Sequence, residues 1–134
     1  MSKIKVLIID DENDFASTFS ERLLMRGYLS CAVNCAEKAF KTVKENAPDV
    51  VILDLKMPSM DGIEMLKVLK KMDPSIEVIV LTGHGLSKGK DEAIKHGAFD
   101  YLLKPADIDD IIERIERANK KRMLEQQYLA SKRV

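Results

Sequence analysis

Apolar runs without alternation recur along this chain, and each ends in a polar or charged residue. Val50-Val51-Ile52-Leu53 leads straight into Asp54 between Pro48 and Pro58. Such a run reads as a strand buried on both faces, as in a parallel sheet covered by helices. Val6-Leu7-Ile8-Ile9 repeats the pattern and ends in Asp10-Asp11; Val78-Ile79-Val80-Leu81 ends in Thr82; Phe99 to Leu103 ends in Lys104-Pro105. Ser30-Cys31-Ala32-Val33 is a short strand. Helical spacing fills the gaps. Phe15, Phe19 and Leu23 share one face after capping oxygens at Asp11-Glu12-Asn13-Asp14, and Gly27 ends that helix. Asn34 with Glu37 forms a capping-box pattern before Ala36, Ala39, Phe40 and Val43. After a loop from Lys56 to Asp61, Gly62 opens a helix through Ile63, Leu66 and Leu69 that stops near Asp73-Pro74. Gly83-His84-Gly85 is a flexible loop, and a short, weakly apolar helix runs from Lys90 to His96 up to Gly97. A last helix carries Ile108, Ile111, Ile112 and Ile115 and continues to about Tyr128.

Strand and helix alternate five times, which predicts an α/β fold, a single doubly wound five-stranded parallel sheet. Right-handed crossovers and the order 2-1-3-4-5 put the winding reversal between the first and third strands. Ligands bind at that point, outside the carboxyl ends of the strands. Those ends carry Asp10 and Asp11, Asp54, Thr82 and Lys104, so four strands aim functional groups at one crevice.

Length and charge narrow the partners. The 134 residues suit one domain, with a body over residues 1–121 and an extension of the last helix, or the start of a linker, over 122–134. The 22 basic and 22 acidic residues balance, so nothing favours nucleic-acid or membrane binding by the whole body. The first apolar run is too short for a signal peptide or a membrane span, which predicts a cytoplasmic protein. Cys31 and Cys35 have no His or Cys cluster around them and read as small buried or half-buried thiols.

Three carboxylates at one sheet edge repel one another unless a cation joins them. Oxygen donors without nearby His or Cys favour a hard ion, and Mg²⁺ fits. With the Lys104 ammonium and the Thr82 hydroxyl, the site suits a phosphoryl group whose oxygens are neutralised from several sides. Asp54 is the natural nucleophile, since an aspartate can form an acyl phosphate. Two other phosphate motifs fail. The third glycine after Gly83-His84-Gly85 falls at Gly89, one place late for a dinucleotide fingerprint, and Asp91 follows Lys90 where a P-loop needs Ser or Thr.

These residues resemble the response-regulator receiver domain, the family of the chemotaxis regulator CheY, from about Lys3 to Lys121. The matching motifs are Ile9-Asp10-Asp11, Asp54-Leu55-Lys56-Met57-Pro58 with Asp61-Gly62, Leu81-Thr82-Gly83 and Tyr101-Leu102-Leu103-Lys104-Pro105. The resemblance implies a two-component switch in which Asp54 takes a phosphoryl group from a sensor histidine kinase or a phosphotransfer protein. It implies Mg²⁺ on Asp10, Asp11, Asp54 and the backbone carbonyl of Lys56, and contacts from Thr82 and Lys104 to the phosphoryl oxygens. It also implies a cis bond before Pro105 and a switch in which Thr82 and Tyr101 reshape the face of the fourth helix, fifth strand and fifth helix. That face would serve an output protein or domain, or a homodimer. Ala106 departs from the Phe that many receivers carry there, and Lys56 and His84 flank the path of hydrolytic water. The loop from Leu81 to Gly85 is similar to receivers of enhancer-binding activators. The tail with Leu124, Tyr128 and Leu129 reads as a long solvated helix of a stand-alone regulator, with a linker or coiled coil toward a longer transcription factor or hybrid kinase as the alternative. A phosphatase of the haloacid-dehalogenase type would need a second Asp two residues after the nucleophile. Lys56 stands there, so no enzyme beyond self-phosphorylation and self-dephosphorylation is expected.

Overall fold

The structure, a computed structural model, describes residues 3–57, 60–83 and 87–132, with the side chains of residues 87 and 88 left out. Five strands form one parallel sheet: β1 (Lys5–Ile9), β2 (Leu29–Val33), β3 (Val50–Leu53), β4 (Glu77–Thr82) and β5 (Asp100–Leu103), in the order β2-β1-β3-β4-β5. The helices between and after them are α1 (Asn13–Met25), α2 (Ala36–Glu45), α3 (Gly62–Met72), α4 (Ser87–Lys95) and α5 (Ile108–Lys132). The unbroken apolar runs have the predicted cause. Leu7, Ile9, Val51, Leu53, Val78 and Val80 pack with α2, α3 and α4, while their alternates Val6, Ile8, Val50, Ile52, Ile79 and Leu81 pack with α1 and α5. Each of these residues is at most 2% exposed. A polar residue on either face would lose the roughly 1.5–3 kcal/mol that burying such a side chain contributes.

Several local expectations are corrected. Asn34 does not cap α2; its amide donates to Asn13 Oδ1 (3.2 Å), its oxygen accepts from Lys38 (3.3 Å), and Cys35 takes the N-cap position without a side-chain bond. The capping oxygens expected ahead of α1 are likewise unused, since Glu12 is the N-cap and makes no side-chain cap bond. Cys31 is exposed, and only Cys35 is half-buried, because β2 is an edge strand whose outer positions nothing covers among the described residues. The fourth helix begins at Ser87, three residues earlier than expected, and takes in Gly89. A methyl group added at Gly89 would lie 3.4 Å from the Tyr101 hydroxyl, so this glycine gives the ring its place against the helix. The Lys56–Asp61 loop contains a short antiparallel ribbon, Lys56–Met57 against Met60–Asp61. The last helix continues four residues past Tyr128, to Lys132.

Polar bonds fix α5 along its length. Arg26 reaches Asp109 at 2.8 Å, the Tyr28 hydroxyl donates to Glu116, and Arg114 pairs with Asp100 at 3.1 Å. Further along, Lys121 donates to both oxygens of Glu77 at 3.2 Å, and Arg122 meets Asp49 at 3.1 Å. Glu77 is only 1% exposed, with Lys70 3.5 Å away as a second cation. Burial of that carboxylate is tolerable because both cations reach it.

The turn beyond Asp54 is held by close backbone contact. The Gly62 amide donates to the Leu55 carbonyl at 3.1 Å, and Asp61 caps α3 by accepting from Ile63 (2.8 Å) and Glu64 (3.3 Å). A Cβ at Gly62 would stand 2.3 Å from the Leu55 Cα. Backbone cannot yield as a flexible side chain does, so Gly62→Ala should cost about 2 kcal/mol or more in urea unfolding. Asp61→Ala, which removes only a cap, should cost about 1 kcal/mol.

Candidate functional site

The site follows from strand register. Ile9 lies opposite Leu53 in the β1–β3 pair, so Asp10 and Asp54 leave the sheet side by side, and the Asp54 amide donates to the Ile9 carbonyl at 3.0 Å. Thr82 pairs with Leu103, and the Lys104 amide donates to the Thr82 carbonyl at 2.8 Å. The sheet thus brings Asp10, Asp11, Asp54, Thr82 and Lys104 to one edge. Asp10 is 2% exposed, Asp54 5% and Thr82 0%, whereas Asp11 is open to solvent.

Lys104 joins the group. Its Nζ donates to Asp10 Oδ2 at 2.7 Å and stands 3.7 Å from Asp54 Oδ2 and 3.6 Å from Glu12 Oε2. Backbone amides hold the other carboxylate oxygens: Glu12 donates to Asp10 Oδ1 at 2.9 Å and Lys56 to Asp54 Oδ1 at 3.1 Å. Oxygens of Asp10, Asp11 and Asp54 all lie within 4.8 Å of one another. Three carboxylates converging at that spacing, one of them open to water, are a donor set suited to a small hard cation that keeps several waters.

Burial pushes the Asp10 carboxyl above its ordinary range; the Lys104 hydrogen bond, the Glu12 amide and the Lys104 charge pull it back in part, and the Asp54 charge pushes it further up. Lys104 behaves differently. Burial acts to lower it, but the hydrogen bond to Asp10 and the charges of Asp10, Asp54 and Glu12 outweigh that and leave it raised. At neutral pH the ammonium is therefore a fixed positive charge in the site.

Of the other residues singled out in the sequence, Pro105 does follow a cis peptide bond. Tyr101 is half-buried, packed on the core beside α4 with its hydroxyl over Gly89, and burial raises it above the usual phenol range. The Lys56 amide faces Asp54, as given above. Ala106 lines a groove of about 330 Å³ with Phe15, Phe19 and Ile111, consistent with the smaller anchor expected there. His84 lies outside the described residues. Sequence reasoning missed Glu12 and Phe15 as neighbours of Lys104. Phe15 was legible only as an inner-face residue of α1, although its place in the first turn puts it at the site's end of the sheet.

Residues 6–116 match the response regulator receiver domain, and the chain belongs to that family. Members act in two-component signalling, in general as switches and not as enzymes, and use Mg²⁺ at an acidic cluster. The chain is 36% identical over 118 residues to the DNA-binding transcriptional regulator NtrC of Proteus hauseri, covering 88% of this chain and 25% of that protein. It is 35% identical over 115 residues to the transcriptional regulatory protein ZraR of Escherichia coli K12, covering 86% and 26%. The chain thus spans about a quarter of the length of these relatives. A response regulator receiver domain protein from Clostridium thermocellum superposes with a TM-score of 0.85 at 35% identity, covering 90% of this chain and 98% of that one. NtrX from Brucella abortus gives a TM-score of 0.89 at 28% identity, covering 96% and 29%.

The raised Asp10 has a measurable consequence. A carboxyl that holds its proton more tightly when folded loses stability as pH rises from the unfolded value of 3.8 through its higher folded value. In chelator, the stability of Asp10→Asn relative to the unmutated protein should therefore increase across that window and level off above it, as read by urea unfolding at a series of pH values. Lys104 contributes a dependence of the same sign in a far higher window: its stabilisation is complete below 10.5 and is lost only as pH rises through its higher folded value.

Proposed function

We propose that Asp54 is the phosphoacceptor of this receiver, taking a phosphoryl group from the phosphohistidine of a sensor histidine kinase or a phosphotransfer protein. The observation that carries this reading is the position of Asp54 at a sheet edge, its carboxylate beside those of Asp10 and Asp11 and 3.7 Å from the Lys104 ammonium. The Lys56 amide engages Oδ1, which leaves Oδ2 on the Lys104 side as the attacking oxygen. As Asp54 forms the O–P bond of an acyl phosphate, the P–N bond of the donor breaks and the imidazole leaves. Lys104 and Thr82 contact the phosphoryl oxygens. Asp10, Asp11, Asp54 and the Lys56 carbonyl would hold Mg²⁺, directly or through water, which supplies positive charge to the phosphoryl oxygens.

Recruitment of Thr82 to the phosphoryl group and an inward turn of Tyr101 then reshape the face of α4, β5 and α5 for an output partner or a homodimer. A switch needs a contact that differs between its states, and Thr82 to phosphoryl is that contact. The curated relatives support a second element of the reading, in which residues 1–121 form the receiver of a longer transcription regulator and the rest of α5 begins the linker. In this reading the chain acts in the cytoplasm without binding nucleic acid through the receiver itself. No described helix is long and apolar enough to cross a membrane.

Incubation with a small acyl-phosphate donor and Mg²⁺, followed by intact mass measurement, should show one added phosphoryl group. Asp54→Asn or a chelator should abolish it. A modified Asp54→Asn variant, or an unmutated protein that no donor modifies, a kinase included, would defeat the assignment. Repeated turnover of a generic phosphate ester would instead favour a phosphatase.

A further inference from the structure

Lys104 has a partner that is not a carboxylate. Its Nζ lies 4.3 Å from the centroid of the Phe15 ring. That ring is half-buried in the first turn of α1 and meets Phe19 edge-on, with centroids 5.8 Å apart and planes at 61°. Phe19 is 6% exposed, so the ring under Lys104 rests on a buried support.

We infer that Phe15 is a positioning residue for phosphoryl transfer, an aromatic platform that holds the Lys104 ammonium beside Asp54 while leaving its N–H groups free for phosphoryl oxygens. The inference rests on the reading of Asp54 as the phosphoacceptor. Of the three ammonium protons, one is committed to Asp10 Oδ2 at 2.7 Å, and Glu12 and Asp54 lie at 3.6 and 3.7 Å, beyond hydrogen-bond distance. Each carboxylate that attracts Lys104 also adds negative charge to a site that must admit an anion. The face of an aromatic ring attracts the cation through its quadrupole, accepts no conventional hydrogen bond and adds no net charge. An aliphatic side chain would fill the same space without that attraction, leaving Asp10 the dominant pull on a long, flexible stem. Phe15 thus favours a cation that stays charged, stays near Asp54 and keeps donors to spare.

The test compares Phe15→Leu, which keeps apolar volume, with Phe15→Tyr, which keeps the ring and can turn its hydroxyl to solvent from this half-buried position. Affinity for beryllofluoride, a phosphoryl mimic, is measured by calorimetry with Mg²⁺ present, and Mg²⁺ affinity is measured separately. Phe15→Leu should bind beryllofluoride about 5- to 30-fold more weakly, the equivalent of about 1–2 kcal/mol for a largely desolvated cation–π contact. Its Mg²⁺ affinity should stay within about twofold, since the carboxylates are untouched, and Phe15→Tyr should restore beryllofluoride binding. Equal binding by Phe15→Leu and the unmutated protein would overturn the inference, as would equal losses in the Leu and Tyr variants, which would mark a packing role alone. An unmutated protein that takes neither beryllofluoride nor phosphoryl groups would overturn the reading of Asp54, and this inference with it.

Discussion

The placement of one ammonium among three carboxylates governs the functional end of this molecule. Asp10 and Asp54 are almost fully buried, and neighbouring negative charges of that kind are costly unless a cation stands between them. Lys104 meets that need from another strand, 2.7 Å from Asp10 and 3.7 Å from Asp54. The arrangement is unbalanced in a useful direction. Burial keeps Asp10 reluctant to ionise, while Lys104 remains firmly charged, so the site is ready for added positive charge at the acids and for an anion at the lysine.

The sheet makes this convergence possible without any loop having to place a charge precisely in space. Parallel strands with both faces covered can carry few polar residues except at their ends, and register then decides which ends are neighbours. Ile9 opposite Leu53 delivers two aspartates side by side; Thr82 opposite Leu103 delivers a hydroxyl beside a lysine. Gly62, pressed against the Leu55 backbone, ties down the chain just after Asp54.

These strand ends were legible because the apolar runs that precede them have one physical explanation, burial on two faces. The convergence of Asp10, Asp11, Asp54, Thr82 and Lys104 followed from that, from crossover handedness and from the strand order usual in doubly wound sheets. What escaped depended on competition between neighbours distant in sequence. Asn34 had the right spacing to cap α2, but the Asn13 side chain offered it another partner. Cys31 sat in the strand that the predicted order already put at an edge, but that order does not say which positions of an edge strand stay uncovered. Phe15 obeyed helical periodicity, which carries no signal that a lysine 89 positions later rests on its ring. Glu77 stands just before the apolar run from Val78, and its burial depends on two lysines from different helices.

The bonds from Lys121 to Glu77 and from Arg122 to Asp49 also set the mechanics of the long last helix. Twenty-five residues of unbroken helix span about 37 Å, enough for a tilt of about 5° at one end to move the other by roughly 3 Å. A rod clamped near its middle does not swing from its base. With ion pairs at residues 121 and 122, the fulcrum sits at the opposite pole of the sheet from Asp54, and only the last ten residues, about 15 Å of helix, overhang it. Any movement transmitted along this rod as a whole must release Glu77 and Asp49 as well as the ties at residues 109, 114 and 116.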